Sequence, residues 1–204
     1  MTPVNGKVLL DVPILHQFPE YPTGCESVAA VMALRYVGEN TSVANFIDNH
    51  LPCSQNFYWQ DGKFYGPDPN EYFLGNPRTS NSYGCMAAVI QKALKSYFGS
   101  DKRVINTTGE SLDELCSTYI DNGLPVLVWA SIGMIPITKG QGWELPDGTM
   151  FYWPSNEHCL LLVGYDENRF YFNDPYRGRV ISYAKSVTRT RYAQMDMQSL
   201  VITR

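Results

Sequence analysis

A cysteine with the potential for nucleophilic chemistry lies at the start of a predicted helix. Cys25 follows Thr23-Gly24 and opens an apolar stretch at 25–37 that stops at Gly38. Free N–H groups and the helix dipole favour the thiolate form of a cysteine at a helix N-terminus. Gly24, which has no side chain, is expected to leave room for a substrate near the sulfur. A thiolate nucleophile also needs a base and donors for an oxyanion, and these must come from elsewhere in the chain.

Three further residues have the side chains that such chemistry needs. Gln17 precedes Cys25 by eight residues, and its amide is the candidate oxyanion donor alongside the backbone N–H of Cys25. His158 stands directly before the predicted strand CLLLVGY and is the candidate base. Asp174 ends the next predicted strand, and the midpoint between it and His158 falls in a predicted turn at 166–168. An antiparallel hairpin about that turn places the two side chains opposite each other or nearly so, so that the carboxylate can orient the imidazole.

Each of these residues also has a purely structural interpretation. A cysteine at a helix start is more often a small core residue, and an aspartate before a proline is commonly a turn former. His158 alone is more often a hydrogen-bonded structural histidine. A second Gly-Cys pair, at Gly84 and Cys85, is a rival nucleophile motif, but it has no glutamine upstream at a similar spacing. We therefore interpret Cys85 as a core cysteine and favour Cys25 because its partners occur in combination.

The elements that must position these residues are helical in the first half of the chain and extended in the second. Predicted helices cover 25–37, 42–47, 85–98 and a segment that starts with a capping box of Ser111 and Glu114. Predicted strands cover 125–132, 159–165, 169–173 and 179–183, and 199–203 is predicted as an additional edge strand. The helix at 25–37 is apolar on most faces, which predicts a buried central helix. The pattern predicts an α+β domain with an antiparallel sheet.

Two long segments, 52–83 and 133–157, are rich in Gly, Pro, Asn and aromatic residues and are predicted to be loops. Long aromatic loops in compact domains often line binding sites. We therefore expect these two segments to determine the choice of substrate.

Length and composition exclude several classes of protein. The 204 residues predict one domain over 1–204, and a 44% hydrophobic content argues against disorder. Sixteen basic against 20 acidic residues give a net charge of −4 without a basic block, so no nucleic-acid partner is expected. Five cysteines without a CxxC pair and three histidines without paired spacing predict no metal and no cofactor. The chain is expected to be a monomer by default.

The sequence predicts neither a membrane span nor a leader. The longest uninterrupted apolar run is far too short to cross a bilayer, and Met1 to Leu10 lacks the apolar stretch of a signal peptide. The expectation is a cytoplasmic protein, or an extracellular or envelope protein if a leader was removed.

The segments VPILHQFPEYPTGCESVAAVMALRYVG and EHCLLLVGYDENRFYFNDPYRG resemble the papain-like cysteine peptidases of the bacteriocin-processing, double-glycine leader type. They are most similar to the stand-alone bacterial peptidase-like relatives. In those relatives the same features recur in the same order: a Gln, a Gly-Cys helix, a His before a GYD strand and an Asp in a DP turn. The resemblance implies a papain-like α+β fold in which a buried nucleophile helix packs on a C-terminal antiparallel sheet. It implies Cys25 as nucleophile, His158 as general base and then acid, Asp174 as orienting carboxylate and Gln17 as oxyanion donor.

Three functions remain open from the sequence. The first is a cysteine hydrolase that cleaves a peptide, protein or related amide through an acyl-enzyme thioester. The second is a papain-like domain that binds peptide or cell-wall material without hydrolysis. The third is acyl transfer by the same route, since water and an amine attack the same acyl-enzyme. The presence of all four site residues favours an enzyme.

Overall fold

The computed structural model describes residues 6–99 and 103–204. The helices are α1 Cys25–Tyr36, α2 Val43–His50, α3 Ala87–Phe98, α4 Leu112–Leu115, which continues as a wider π-helical segment Cys116–Ile120, and α5 Lys185–Ala193. The strands are β1 Val8–Leu9, β2 Cys53–Ser54, β3 Tyr58–Gln60, β4 Lys63–Tyr65, β5 Phe73–Leu74, β6 Val104–Asn106, β7 Val126–Ser131, β8 Thr138–Glu144, β9 Met150–Ser155, β10 Glu157–Tyr165, β11 Arg169–Asp174, β12 Arg179–Ala184 and β13 Ser199–Ile202. Helices dominate before β7 and antiparallel strands after it, which confirms the predicted α+β class.

The main sheet is antiparallel and has the strand order β12-β11-β10-β7-β13-β6, with β1 paired to β10. The prediction that 199–203 forms an edge strand is wrong, because β13 pairs with β7 on one side and with β6 on the other. All four residues of β13 are buried, as its place inside the sheet requires.

Helix α1 is buried along almost its whole length, as its apolar composition predicts. Ten of its 12 residues are buried, and the helix packs against β10 of the main sheet. The alanines and valines of α1 are small, so the helix axis can approach the sheet closely. The chemistry predicted at the start of α1 therefore lies at the junction of this helix and the sheet.

The segments predicted as long loops form a second, smaller β-structure instead. Strands from both segments build a four-stranded sheet of order β3-β4-β8-β9, while β2 and β5 pair separately. Tyr65 of β4 and Glu144 of β8 are partners across this sheet. The indole of Trp143 is fully buried, packs edge-on against Phe57 and donates its N–H to the carbonyl of Pro67 at 3.1 Å. Local sequence patterns cannot show such pairing, because its partners come from distant parts of the chain.

Helix α5 was not predicted from the sequence. It is rich in Lys, Arg and Thr, and only Thr188 and Tyr192 of its residues are buried. Two inward-facing residues give too weak an apolar periodicity to indicate a helix. Among residues 6–99 and 103–204, no helix has the length and apolarity that a membrane crossing requires.

Candidate active site

Cys25 is the first residue of α1, and its side chain is buried at the helix–sheet junction. Gly24 is the residue that caps the helix. A Cβ atom at Gly24 would lie 3.0 Å from the Cβ of Tyr21 and 3.2 Å from the Cβ of Pro77. Neighbouring side chains therefore fill the space that a side chain at residue 24 would occupy, so Gly24 allows the chain to pack tightly where it enters the helix. The expectation that Gly24 leaves room for a substrate near the sulfur stays a prediction.

The thiol of Cys25 is hydrogen-bonded to the neighbouring glutamate. Sγ donates to Oε2 of Glu26 at 3.3 Å, and Oε1 of Glu26 accepts the backbone N–H of Cys85 at 2.7 Å. In the part of the chain that the structure describes, no hydrogen bond joins the Cys25 thiol to the ring of His158. The thiol is thus held by an acidic neighbour.

The electrostatic surroundings of Cys25 do not favour a thiolate in the resting state. Burial raises the pKa of the Cys25 thiol well above its ordinary value, and the charges of Glu26 and Glu157 raise it further. A hydrogen bond from the backbone N–H of Cys159 acts in the opposite direction. The position at a helix start predicts a lowered pKa, but burial beside two carboxyl groups outweighs that effect.

His158 and Asp174 form a buried hydrogen-bonded pair. The Nε2 atom of His158 lies 2.7 Å from Oδ1 of Asp174, and the side chains are only 1% and 2% exposed. Because an ionised carboxylate accepts but does not donate, Nε2 carries the hydrogen, and Nδ1 is left as the free ring nitrogen. The contact that the spacing predicts is present. Strand register explains it: Leu161 pairs with Asn173, which puts Asp174 diagonally across from His158 on the same face of the hairpin.

The Asp174 carboxylate also stabilises the turn that follows it. Its Oδ1 atom accepts the backbone N–H of Tyr176 at 2.8 Å, so the turn-forming interpretation and the orienting interpretation hold together. Burial alone would raise the pKa of Asp174, but the hydrogen bond and charge of His158 and the backbone N–H groups outweigh it and lower that pKa. The ring of Tyr176 packs edge-on against His158, with 6.1 Å between the ring centres.

Gln17 is buried beside the same turn. Its backbone N–H donates to the carbonyl of Pro175 at 3.0 Å, which attaches the Gln17 segment to the residue after Asp174. The side-chain Nε2 donates to the carbonyl of Pro22 at 2.8 Å. That bond uses one amide hydrogen and leaves the second available, while Oε1 is buried without a hydrogen-bond partner. The amide therefore retains one donor, although the structure records no bond from it to Cys25.

Two residues of this region were not singled out from the sequence. Glu26 and Glu157 are buried, and burial raises the pKa of each of them. Glu26 was detectable, since it is the only charged residue among the first ten residues of α1. Burial raises the pKa of Glu26, and hydrogen bonds and the charge of His158 partly offset that rise.

The rival nucleophile Cys85 is completely buried. Both backbone groups of Cys85 are engaged, the N–H with Glu26 and the carbonyl with the indole N–H of Trp129 at 2.9 Å. This environment supports the interpretation of Cys85 as a core cysteine.

Comparisons with known proteins bear on the fold and on the family of this chain. The model of the Peptidase_C39 like family matches residues 9–200. The "Uncharacterized protein YvpB" of Bacillus subtilis is 29% identical over 195 residues, which are 95% of this chain and 75% of that protein. The crystal structure of a "putative C39-like peptidase" from Bacillus anthracis superimposes with a TM-score of 0.85 at 26% identity and covers 97% of this chain and 98% of its own. The fold is thus the papain-like α+β fold that the sequence resemblance implies, and the chain belongs to the Peptidase_C39 like family.

Proposed function

We propose that this protein is a cysteine peptidase in which Cys25 is the nucleophile, His158 the general base and acid, and Asp174 the orienting carboxylate. The observation that carries the proposal is the buried His158–Asp174 pair at 2.7 Å. A carboxylate in this position fixes the imidazole tautomer and stabilises the imidazolium that forms during the reaction. Membership of a peptidase-like family supports the same chemistry.

Acylation begins when the thiol proton passes to Nδ1 of His158. The sulfur then attacks the substrate carbonyl carbon, and the π electron pair moves onto oxygen. The backbone N–H of Cys25 and the free amide hydrogen of Gln17 stabilise this oxyanion. Collapse of the intermediate breaks the C–N bond, and the amine leaves with the proton from the imidazolium. The product is a thioester on Cys25.

Deacylation uses the same groups in reverse roles. His158 removes a proton from water, the resulting hydroxide adds to the thioester carbonyl, and the C–S bond breaks. The sulfur recovers its proton from the imidazolium, and the acid product departs. An amine in place of water gives acyl transfer through the same thioester.

The raised pKa of Cys25 makes the base indispensable in this scheme. A thiol surrounded by Glu26 and Glu157 is neutral at rest, so it must lose its proton during or just before attack. His158 is the proposed base, and its hydrogen bond to Asp174 supports that role. The thiol hydrogen bond to Glu26 must break for that transfer.

The test combines peptide cleavage with covalent trapping. A mixture of synthetic peptides is incubated with the protein, new termini are identified by mass spectrometry, and a peptidyl electrophile is used to trap the reactive thiol. We expect cleavage and one adduct mapped to Cys25, both lost in Cys25→Ala and in His158→Ala. Cys116→Ala removes a different buried thiol and should retain both activities.

Two outcomes would overturn the proposal. Cleavage by Cys25→Ala at the wild-type rate would exclude Cys25 as the nucleophile. Failure of the wild-type protein both to cleave any peptide and to form the adduct would favour the alternative of a domain that binds peptide or cell-wall material without hydrolysis.

A further inference from the structure

Three potential ligand atoms converge at the start of α1. The Sγ atom of Cys25 and one carboxylate oxygen each from Glu26 and Glu157 all lie within 4.8 Å of one another, and all three residues are buried. Glu157 is 8% exposed, and its Oε1 atom has no hydrogen-bond partner. A buried carboxylate oxygen without a partner is costly unless a proton or a cation compensates it.

We propose that Cys25, Glu26 and Glu157 form a binding site for Zn²⁺. Thiolate sulfur and carboxylate oxygen are both ligands of this ion, and a site with three protein ligands leaves a fourth position for water. The cation would neutralise the two carboxylates of Glu26 and Glu157, which are buried next to each other. One carboxylate oxygen of Glu157 would be a ligand, and this carboxylate has an oxygen without a hydrogen-bond partner.

The separation of two of the three ligand atoms suits a tetrahedral ion. Bonds of about 2.3 Å to sulfur and about 2.1 Å to oxygen at tetrahedral angles separate the two ligand atoms by about 3.6 Å. Sγ of Cys25 and Oε2 of Glu26 are 3.3 Å apart. The proton that now joins these two atoms is the one that the ion replaces. The ligand oxygen of Glu157 lies within 4.8 Å of both and must move closer to complete the set.

Binding exchanges protons for the cation without any change of oxidation state. The thiol proton, and any proton held by either carboxyl group, leaves to solvent, because the ligands must be deprotonated. Gly84 contributes to the site by its lack of a side chain. A Cβ there would lie 2.6 Å from Oε1 of Glu26 and 3.1 Å from Oε2 of Glu157.

The consequence for activity rests on the proposed function. A sulfur that is bound to Zn²⁺ cannot attack a carbonyl, so the ion would act as a reversible inhibitor that competes for the nucleophile. The sequence does not predict this site, because Cys25 and Glu26 are far from Glu157 in the chain and none of them lies in a metal-binding motif.

The test uses Cd²⁺ as a spectroscopic substitute, because a thiolate-to-Cd²⁺ charge-transfer band in the ultraviolet reports sulfur ligation directly. Cys53→Ser is the background, since it removes the one exposed cysteine. In this background we expect a band that saturates at one equivalent, disappears in Cys25→Ser and forms with at least about tenfold weaker affinity in Glu157→Gln. Glu167→Gln makes the same charge change at an exposed turn and should leave the affinity unchanged.

A second readout requires neither a chromophore nor a substrate. Zn²⁺ should raise the melting temperature of Cys53→Ser but not that of Cys53→Ser/Cys25→Ser, because binding to the folded state stabilises it. Glu157→Gln is a neutral isostere that should fold, and circular dichroism verifies this. If that variant unfolds, Glu157→Asp replaces it, with the same tenfold weakening expected from its shorter reach.

Absence of the band in Cys53→Ser, or an unchanged Cd²⁺ affinity in the Glu157 variant, would overturn the metal site. These results are separable from the peptidase test. Peptide cleavage without a Cd²⁺ band refutes the metal site alone, and a band without either cleavage or the covalent adduct refutes the peptidase alone.

Discussion

The Nε2 atom of His158 donates to the same Oδ1 atom of Asp174 that accepts the backbone N–H of Tyr176. One carboxylate oxygen therefore orients the imidazole and closes the turn after β11. Replacement of Asp174 by asparagine therefore tests the charge separately from the hydrogen bonds, because an asparagine carbonyl can still accept both of them. Only the negative charge is removed.

The variant Asp174→Asn should lose catalytic efficiency while keeping its fold. We expect kcat/KM to fall by about 10²-fold or more, because the imidazolium loses its stabilising charge. The melting temperature at neutral pH should fall only modestly, since both hydrogen bonds remain possible and only the stabilising charge of the Asp174 carboxylate is lost. Steady-state kinetics and differential scanning calorimetry measure the two effects. An unchanged kcat/KM would show that Asp174 serves only the turn.

The variant His158→Ala should slow alkylation of Cys25 at neutral pH. Burial, Glu26 and Glu157 raise the pKa of this thiol, so its reactivity depends on a base that accepts the proton. In the Cys53→Ser background we expect the rate at which iodoacetamide alkylates Cys25 to fall by at least about tenfold. Peptide mapping of the alkylated protein measures this rate at Cys25. His50→Ala, which changes a histidine on α2, is the matched control. Equal rates in the two histidine variants would contradict the role of His158 as base.

The variant Gln17→Ala should reduce kcat more than it changes KM. Loss of one oxyanion donor costs of the order of 10²–10³ in rate, since that donor acts mainly in the transition state. Gln141→Ala at an exposed position is the control. Because the Gln17 amide also bonds the carbonyl of Pro22, melting temperatures must be compared at the same time. A rise in KM at constant kcat would assign Gln17 to substrate binding or loop structure.

The stability of the protein should decrease as the pH rises above the ordinary glutamate value. Burial raises the pKa of Glu157 above 4.5, and the neighbouring charge of Glu26 adds to that rise. The folded state therefore binds this proton more tightly than the unfolded chain, and stability is lost between pH 4.5 and the folded pKa. Asp174 has the opposite effect on stability at lower pH, because its pKa in the folded protein is lowered from 3.8. The stability that its carboxylate contributes is lost as the pH falls through that lowered pKa.

Glu157→Gln tests this stability prediction. Its melting temperature should exceed that of the wild type at pH 8 and approach it below about pH 4.5, where Glu157 is protonated in both states. Glu167→Gln, at an exposed turn, should follow the wild-type curve throughout. Parallel curves for the wild type and Glu157→Gln would mean that Glu157 has no raised pKa in the folded protein.

The sequence by itself determined the local elements that hold the candidate residues. Continuous apolar residues that end at a glycine specify α1, and the turn at 166–168 places β10 and β11 in a hairpin. In that turn Oδ1 of Asp166 accepts the backbone N–H groups of Asn168 and Arg169, each at 2.8 Å. These features depend on neighbours within a few residues, so periodicity and turn chemistry contain the information. The contact between His158 and Asp174 follows from the same hairpin.

Only the tertiary structure decided the environment of the thiol. Glu26 on α1 and Glu157 on β10 meet at Cys25 because the helix packs on the sheet. Burial of the thiol, and then the charges of these two glutamates, raise its pKa, whereas the helix start alone predicts a lowered one. Likewise, the two segments predicted as loops become strands because Tyr65 and Glu144 pair across a distance that no local pattern spans. The pKa of a buried group and the pairing of strands both depend on which residues lie next to each other in the folded chain. Packing between residues that are distant in sequence determines those neighbours.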